Sequence, residues 1–152
     1  MKKLLVIILV VFLNTNAYAS YILIPMDAES QENHLKAYGL TYWTLERELK
    51  VKWLLNYRGG SFLLPYAEII QRECQIRGVS FEVISDSKAA KILEDISSPA
   101  VNQEAIVLEK APKIAVYSPY GKQPWDDAVT MVLTYAEIPY ETIYDEEVLK
   151  DE

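Results

Sequence analysis

Lys113-Ile-Ala-Val-Tyr-Ser-Pro-Tyr-Gly-Lys-Gln-Pro-Trp-Asp-Asp-Ala-Val-Thr-Met-Val-Leu-Thr-Tyr-Ala-Glu-Ile-Pro-Tyr-Glu-Thr-Ile-Tyr144 is the stretch that decides the fold class. Ile114 to Tyr117 is an apolar run of the kind a strand buried on both faces requires. Pro119 and Gly121 break it into a loop. Pro124 suits the first helical position, and Val129, Val132, Leu133 and Ala136 then recur at helical spacing. Pro139 stops the helix, and Tyr140 to Tyr144 reads as a second strand. Strand, helix, strand is a βαβ unit, whose strands pair in parallel through a right-handed crossover. The predicted class is α/β, with a partial doubly wound (flavodoxin-like) parallel sheet preceded by a β-hairpin-containing segment.

Upstream, Val79 to Ile84 alternates Val79, Phe81 and Val83 and is expected to supply a third parallel strand. Ser85-Asp86 offers an N-cap to a helix over Ser87 to Ile96, and Ala105 to Leu108 reads as a short strand. Pro65 and Gly78 bracket another helix. Leu40 to Leu45 and Leu49 to Tyr57, rich in aromatic and aliphatic residues around Glu46-Arg47-Glu48, read as the hairpin. Asp27 to Tyr38 is expected to be a short helix closed by Gly39, after a first strand over Tyr21 to Met26. A parallel sheet of two or three strands needs more strands and helices on both faces. The chain is therefore expected to be the front part of a longer doubly wound protein.

The first 19 residues have the pattern of a secretory signal peptide. Lys2 and Lys3 precede the apolar run Leu4 to Leu13, and Ala17-Tyr18-Ala19 fits a signal-peptidase site, which places the cut between Ala19 and Ser20. A helix over that run rises only about 15 Å, roughly half of a bilayer's hydrocarbon thickness, so no stable membrane anchor is expected. The expected location is the periplasm or the extracellular space. The domain reading is residues 1–19 as signal, 20–108 as an N-terminal α/β segment with the hairpin, and 109–152 as the βαβ unit.

Removing the two signal lysines takes the net charge from −7 to −9, with 13 basic against 22 acidic residues. That balance attracts neither phosphate backbones nor anionic lipid, so nucleic acid is not an expected partner. Cys74 is the one cysteine and falls on an apolar helix stripe with Ile70, as a buried, inert thiol would. No cysteine near the cut offers a lipid attachment point.

The chemistry-bearing motifs are few. His34 is the one histidine, so a zinc site or an imidazole-based triad has little to draw on. No metal and no cofactor are expected, and no residue is assigned to catalysis. Asp145, Glu146 and Glu147 lack the spaced oxygen ligands of a calcium loop and read as a solvated face. Doubly wound sheets bind ligands at the carboxyl ends of their strands. Here that edge is Ser118 to Trp125, Ser85-Asp86 and Asp145-Glu146, so Ser118, Tyr120 and Trp125 are candidate ligand contacts. Asp126 and Asp127, in the first turn of the following helix, would repel a phosphate.

Arg58, Gly59 and Gly60 form a second candidate loop, since two glycines let backbone approach a ligand and Arg58 can pair with a carboxylate. Its alternative reading is a tight connection from hairpin to helix. Tyr42, Trp43, Trp53 and Tyr57 can stack on a sugar or a peptide, or on each other across strands.

Tyr21-Ile-Leu-Ile-Pro-Met-Asp27, His34-Leu-Lys-Ala-Tyr-Gly39, Trp53-Leu-Leu-Asn-Tyr-Arg-Gly-Gly-Ser-Phe62 and Pro124-Trp-Asp-Asp-Ala-Val129 together resemble the front part of an exported bacterial family. Members are commonly labelled asparagine synthetase B, and their later portion resembles a class I glutamine-amidotransferase-like, flavodoxin-type domain. The resemblance covers the whole mature chain and implies that full members continue beyond Glu152. Asparagine synthetases use a Ser-Gly-Gly-x-Asp-Ser loop, and class I amidotransferases a cysteine elbow after a later strand. This chain has neither, so the resemblance carries over no catalytic residue. Two readings of function follow: a non-catalytic binding module for a small molecule, sugar or peptide, or the first half of a hydrolase or amidotransferase.

Overall fold

The computed structural model describes residues 19–122 and 127–150. Residues 1–18, most of the expected signal peptide, and Trp125 lie outside the described residues. Strands β1 (Ala19–Ile24), β2 (Val51–Leu55), β3 (Phe62–Pro65), β4 (Glu82–Ser85) and β5 (Glu104–Leu108) form one sheet in the order β4-β1-β3-β2-β5. Every pairing within it is antiparallel. Helices α1 (His34–Glu46) and α2 (Glu68–Arg77) cover one face, and α3 (Asp86–Ile96) covers part of the other.

The run Tyr-Ile-Leu-Ile in β1 has no polar alternation because both faces of the strand are covered. Ile22 and Ile24 pack with Leu40, Leu64, Ile70 and Cys74 on the α1–α2 side. Leu23 packs with Leu54, Leu63, Ile84, Ile92 and Ile96 on the α3 side. Each of these fully buried aliphatic side chains contributes about 2 kcal/mol of transfer free energy.

The βαβ unit forms, with two corrections. Its helix begins at Ala128, with Asp127 its N-cap rather than part of its first turn. Its first strand is covered on one face only, Val116 being buried and Ala115 and Tyr117 exposed. Strands β6 (Ala115–Tyr117) and β7 (Glu141–Ile143) pair in parallel, with Val116 opposite Thr142, and α4 (Ala128–Ala136) crosses between them. Asp127 caps α4 by accepting from the Val129 N–H at 2.9 Å. A short helix, α5 (Asp145–Leu149), follows. The α/β class therefore holds, but parallel pairing is confined to β6 and β7 and most of the sheet is antiparallel.

Several upstream expectations are corrected. Val79 to Ile84 contributes no third parallel strand; β4 pairs antiparallel with β1, Ile22 opposite Val83. Leu40 to Leu45 is not the first arm of a hairpin but lies inside α1, and Gly39 is mid-helix rather than its terminator. The buried residues Ala37, Leu40, Thr41, Thr44 and Leu45 recur at helical spacing. The hairpin exists one element later, as β2 and β3, so Arg58-Gly59-Gly60-Ser61 joins two strands rather than a hairpin to a helix. Pro65 ends β3 opposite Tyr21, and α2 begins three residues later, at Glu68. Gly78 does close α2, in the left-handed conformation at φ 64°. Ser85 likewise caps α3, its Oγ accepting from the Lys88 N–H at 3.3 Å.

The βαβ unit docks through α4 onto α1. A Cβ on Gly39 would lie 1.7 Å from the Ala136 carbonyl oxygen, so the two backbones touch there. Glu137, just past α4, is held by Lys36 of α1 at 2.5 Å. Arg77 Nη1 lies 2.8 Å from the same carboxylate, outside hydrogen-bonding geometry, so that contact is Coulombic. The Lys36 bond holds the Glu137 carboxyl below its usual range, with Arg77 adding to the effect. Tyr135 donates to Asn33 Oδ1 at 3.3 Å.

A second fastening is made by Gln31, which is 1% exposed. Its Nε2 donates to the carbonyls of Pro25 at 3.1 Å and Ser80 at 3.2 Å. Its Oε1 accepts from the N–H groups of Ser80 at 3.1 Å and Asn33 at 3.3 Å. One side chain thus joins the loop after β1 to the segment entering β4.

Candidate functional site

Parallel pairing places the carboxyl ends of β6 and β7 side by side, and the loops leaving them form one cleft. Tyr120 and Gly121 approach it from β6; Tyr144, Asp145, Glu146 and Glu147 approach it from β7. Its volume is about 280 Å3. Gly121 turns at φ 75°, where a side chain would be strained. Tyr120 is 89% exposed, so its ring is open to stack on a ligand.

Ser118, by contrast, is buried. Its N–H donates to the Ile143 carbonyl at 2.8 Å, and its hydroxyl turns toward the Lys122 carbonyl at 3.5 Å. It shapes the loop that presents Tyr120. Tyr117 donates to Asp145 Oδ1 at 2.5 Å, which ties α5 to β6 and raises the phenol above its ordinary pKa. Glu147 accepts from the Tyr144 N–H at 3.0 Å, fixing the first turn of α5. The cleft is therefore ring-lined and acidic, suited to hydroxyl or ammonium donors and unsuited to phosphate.

Strand-end reasoning identifies Tyr120 and Asp145-Glu146 but passes over Tyr144 and Glu147. Their signal is position alone, immediately after an apolar strand that pairs in parallel. Ser85-Asp86 belongs to the other sheet and takes no part in this cleft.

The Arg58 loop is a separate feature, and its side chains are already engaged. Arg58 donates from Nε to Asp27 at 3.1 Å, from Nη1 to Glu82 at 2.5 Å and from Nη2 to Ser30 at 3.0 Å. Its carbonyl accepts from the Met26 N–H at 3.0 Å. Gly59 and Gly60 adopt φ 76° and 92°, and a Cβ on Gly59 would stand 2.3 Å from the Met26 carbonyl oxygen. That approach is to the protein's own backbone, so the loop is a tight connection, as the alternative reading has it, but between β2 and β3.

Both carboxyls in this network are held below their usual range. The Ser30 hydroxyl is the main cause at Asp27, with Arg58 adding to it, and the Arg58 bond is the main cause at Glu82. A depressed folded pKa contributes stability above the unfolded value of about 4 and loses it as pH falls through the folded value. Arg58→Ala is expected to lower Tm by a few degrees at pH 7, and the difference from wild type should shrink as pH falls below about 4, the unfolded value. Melting curves from pH 2.5 to 7 test this; a difference constant with pH would detach the carboxyls from Arg58.

The remaining candidates resolve into structural roles. Trp53 stacks on Phe62 across the β2–β3 pair, with centroids 6.4 Å apart. Tyr42 and Trp43 sit on α1, where Arg47 lies 3.5 Å over the Trp43 ring. His34 Nε2 lies 3.0 Å from the Met26 carbonyl oxygen. Cys74 is 0% exposed, and burial pushes its thiol up to about 12. Among the described residues no group of three His, Cys, Asp or Glu side chains is placed to hold a metal ion. No helix among them is long and apolar enough to cross a membrane. No family model, curated protein or solved structure matches the chain.

Proposed function

We propose that this is an exported, non-catalytic binding module that takes a small hydroxyl-rich or cationic ligand, a sugar or a basic peptide, in the cleft between Tyr120 and Tyr144. The supporting observation is that the parallel β6–β7 pair brings two tyrosine rings and three carboxylates, from loops more than twenty residues apart in sequence, to one strand-end cleft. In this reading β6–α4–β7 is the opening unit of a flavodoxin-type, amidotransferase-like sheet. The exposed Val129, Met131, Val132 and Tyr135 of α4 are consistent with a face that further elements cover. The second reading, the first half of a hydrolase or amidotransferase, draws on the same face and on the family resemblance.

Thermal-shift measurements across sugars, basic peptides and amino acids test the binding. A ligand at a hundred times its Kd stabilises by about 2.7 kcal/mol, so Tm is expected to rise by several degrees for one class. Tyr120→Ala should abolish that rise, whereas null shifts across the whole panel would overturn the proposal. Export rests on the signal pattern, with the mature chain starting at Ser20, inside β1. An exported protein whose N-terminal sequence still reads Met1 would remove that part.

A further inference from the structure

A second cleft lies at the opposite ends of β6 and β7, where the parallel pair meets α1. Lys113 and Ile114 lead into β6, Pro139 and Tyr140 lead toward β7, whose first residue is Glu141, and Tyr42 faces them from α1; together they line a volume of about 240 Å3. The walls are fixed. Tyr42 donates to the Pro112 carbonyl at 2.9 Å, pinning the linker, and the Glu141 N–H donates to the Ile114 carbonyl at 2.9 Å, joining the two strand entries.

Two charges of opposite sign stand in this cleft without partners. Neither the Lys113 ammonium nor the Glu141 carboxylate makes an ion pair or a side-chain hydrogen bond among the described residues, nor do they reach each other. Lys110 and Lys122 likewise find no carboxylate among the described residues, whereas Lys36, Lys50 and Lys88 do; what sets Lys113 and Glu141 apart is that both line one cleft. A cation and an anion that line one cleft yet stand apart leave a gap that a zwitterion can bridge. Tyr42, Tyr140, Ile114 and Pro139 supply the apolar part of the same lining.

We infer that this cleft binds a small zwitterion with an apolar body, its carboxylate toward Lys113 and its ammonium toward Glu141. Free apolar α-amino acids and short apolar peptides share that chemistry, and the cleft volume suits one or two residues. A neutral sugar leaves both charges unmatched, and a phosphate meets the Glu141 carboxylate. The site is distinct from the Tyr120 cleft and does not depend on it.

Calorimetric titration of the mature chain with phenylalanine, the dipeptide Ala-Phe, N-acetylphenylalanine and phenylalanine amide tests the inference. Saturable binding of phenylalanine or Ala-Phe is expected, and which of the two is tighter separates a free amino acid from a peptide. Blocking either charge should weaken binding about tenfold, as should Lys113→Glu and Tyr140→Ala. Affinity should also fall with salt, because both charges are exposed. The inference is overturned by absence of saturable binding, by blocked compounds binding as well as phenylalanine, or by full affinity in Lys113→Glu. Loss of binding in Tyr120→Ala with Lys113→Glu unaffected would also overturn it, by moving the ligand to the other cleft.

Discussion

Gly39→Ala is expected to destabilise the protein, although alanine is the better helix former by about 1 kcal/mol. The added Cβ would stand 1.7 Å from the Ala136 carbonyl oxygen and 2.8 Å from its carbon. Both atoms are backbone, so no side chain can rotate away, and α4 must lift from α1. Overpacking of this kind costs about 1–3 kcal/mol, occasionally more. Lifting α4 also pulls Glu137 from Lys36 and Tyr135 from Asn33. A net loss of about 2–3 kcal/mol corresponds to a Tm fall of roughly 5–10 °C for a chain of this size. Hydrogen exchange should quicken first in β6, α4 and β7, since α1 is the surface on which that unit rests. A raised Tm would show that the two helices do not meet there.

Gln31→Leu is expected to cost more, about 3–5 kcal/mol, because it strands several backbone groups at once. The amide spans two carbonyls and two N–H groups, and leucine fills its volume while satisfying none of them. Gln31→Glu separates hydrogen bonding from packing. Its carboxylate faces the carbonyl oxygens of Pro25 and Ser80, so the neutral acid is favoured in the folded state and its pKa rises. A raised acid pKa leaves the variant closest to wild type below the unfolded value of about 4.3 and costs stability as pH climbs through the folded value. Urea titrations at pH 4.5 and pH 7 should show the gap to wild type widening toward neutrality. Equal stability of Gln31→Leu and wild type would mean that water replaces the amide at no cost.

Elements whose signals are local were legible in the sequence. The βαβ unit declares itself through an apolar run, helical spacing and Pro139, and the ends of α2 and α3 through Gly78 and Ser85. α1 was not legible, for two physical reasons. Thr41 and Thr44 are buried because their hydroxyls bond back to the Ala37 and Leu40 carbonyls at 3.0 and 2.9 Å, so two positions of the buried stripe look polar. Gly39 looks like a helix end, but its reason is Ala136, nearly a hundred residues away. β3 hides behind Pro65 and its own shortness. At the candidate site, the strand-end rule reached Tyr120 and Asp145, because parallel pairing follows from connectivity. Arg58 remained open because Asp27, Ser30 and Glu82 come from other parts of the chain, and only the folded structure shows its donors already used.

The place of β1 in its sheet has a consequence for how the protein is made. Ile22 pairs with Leu64 on one side and Val83 on the other, so the earliest strand to appear is flanked by two that appear much later. A chain threaded outward from its N-terminus has no sheet for β1 to join until β3 has followed it through, and its second edge stays open until β4 arrives. Tyr21 to Ile24 must wait as a bare apolar ribbon, the state most open to wrong pairings. Under the export proposed above, the same delay would leave the chain open to threading for longer.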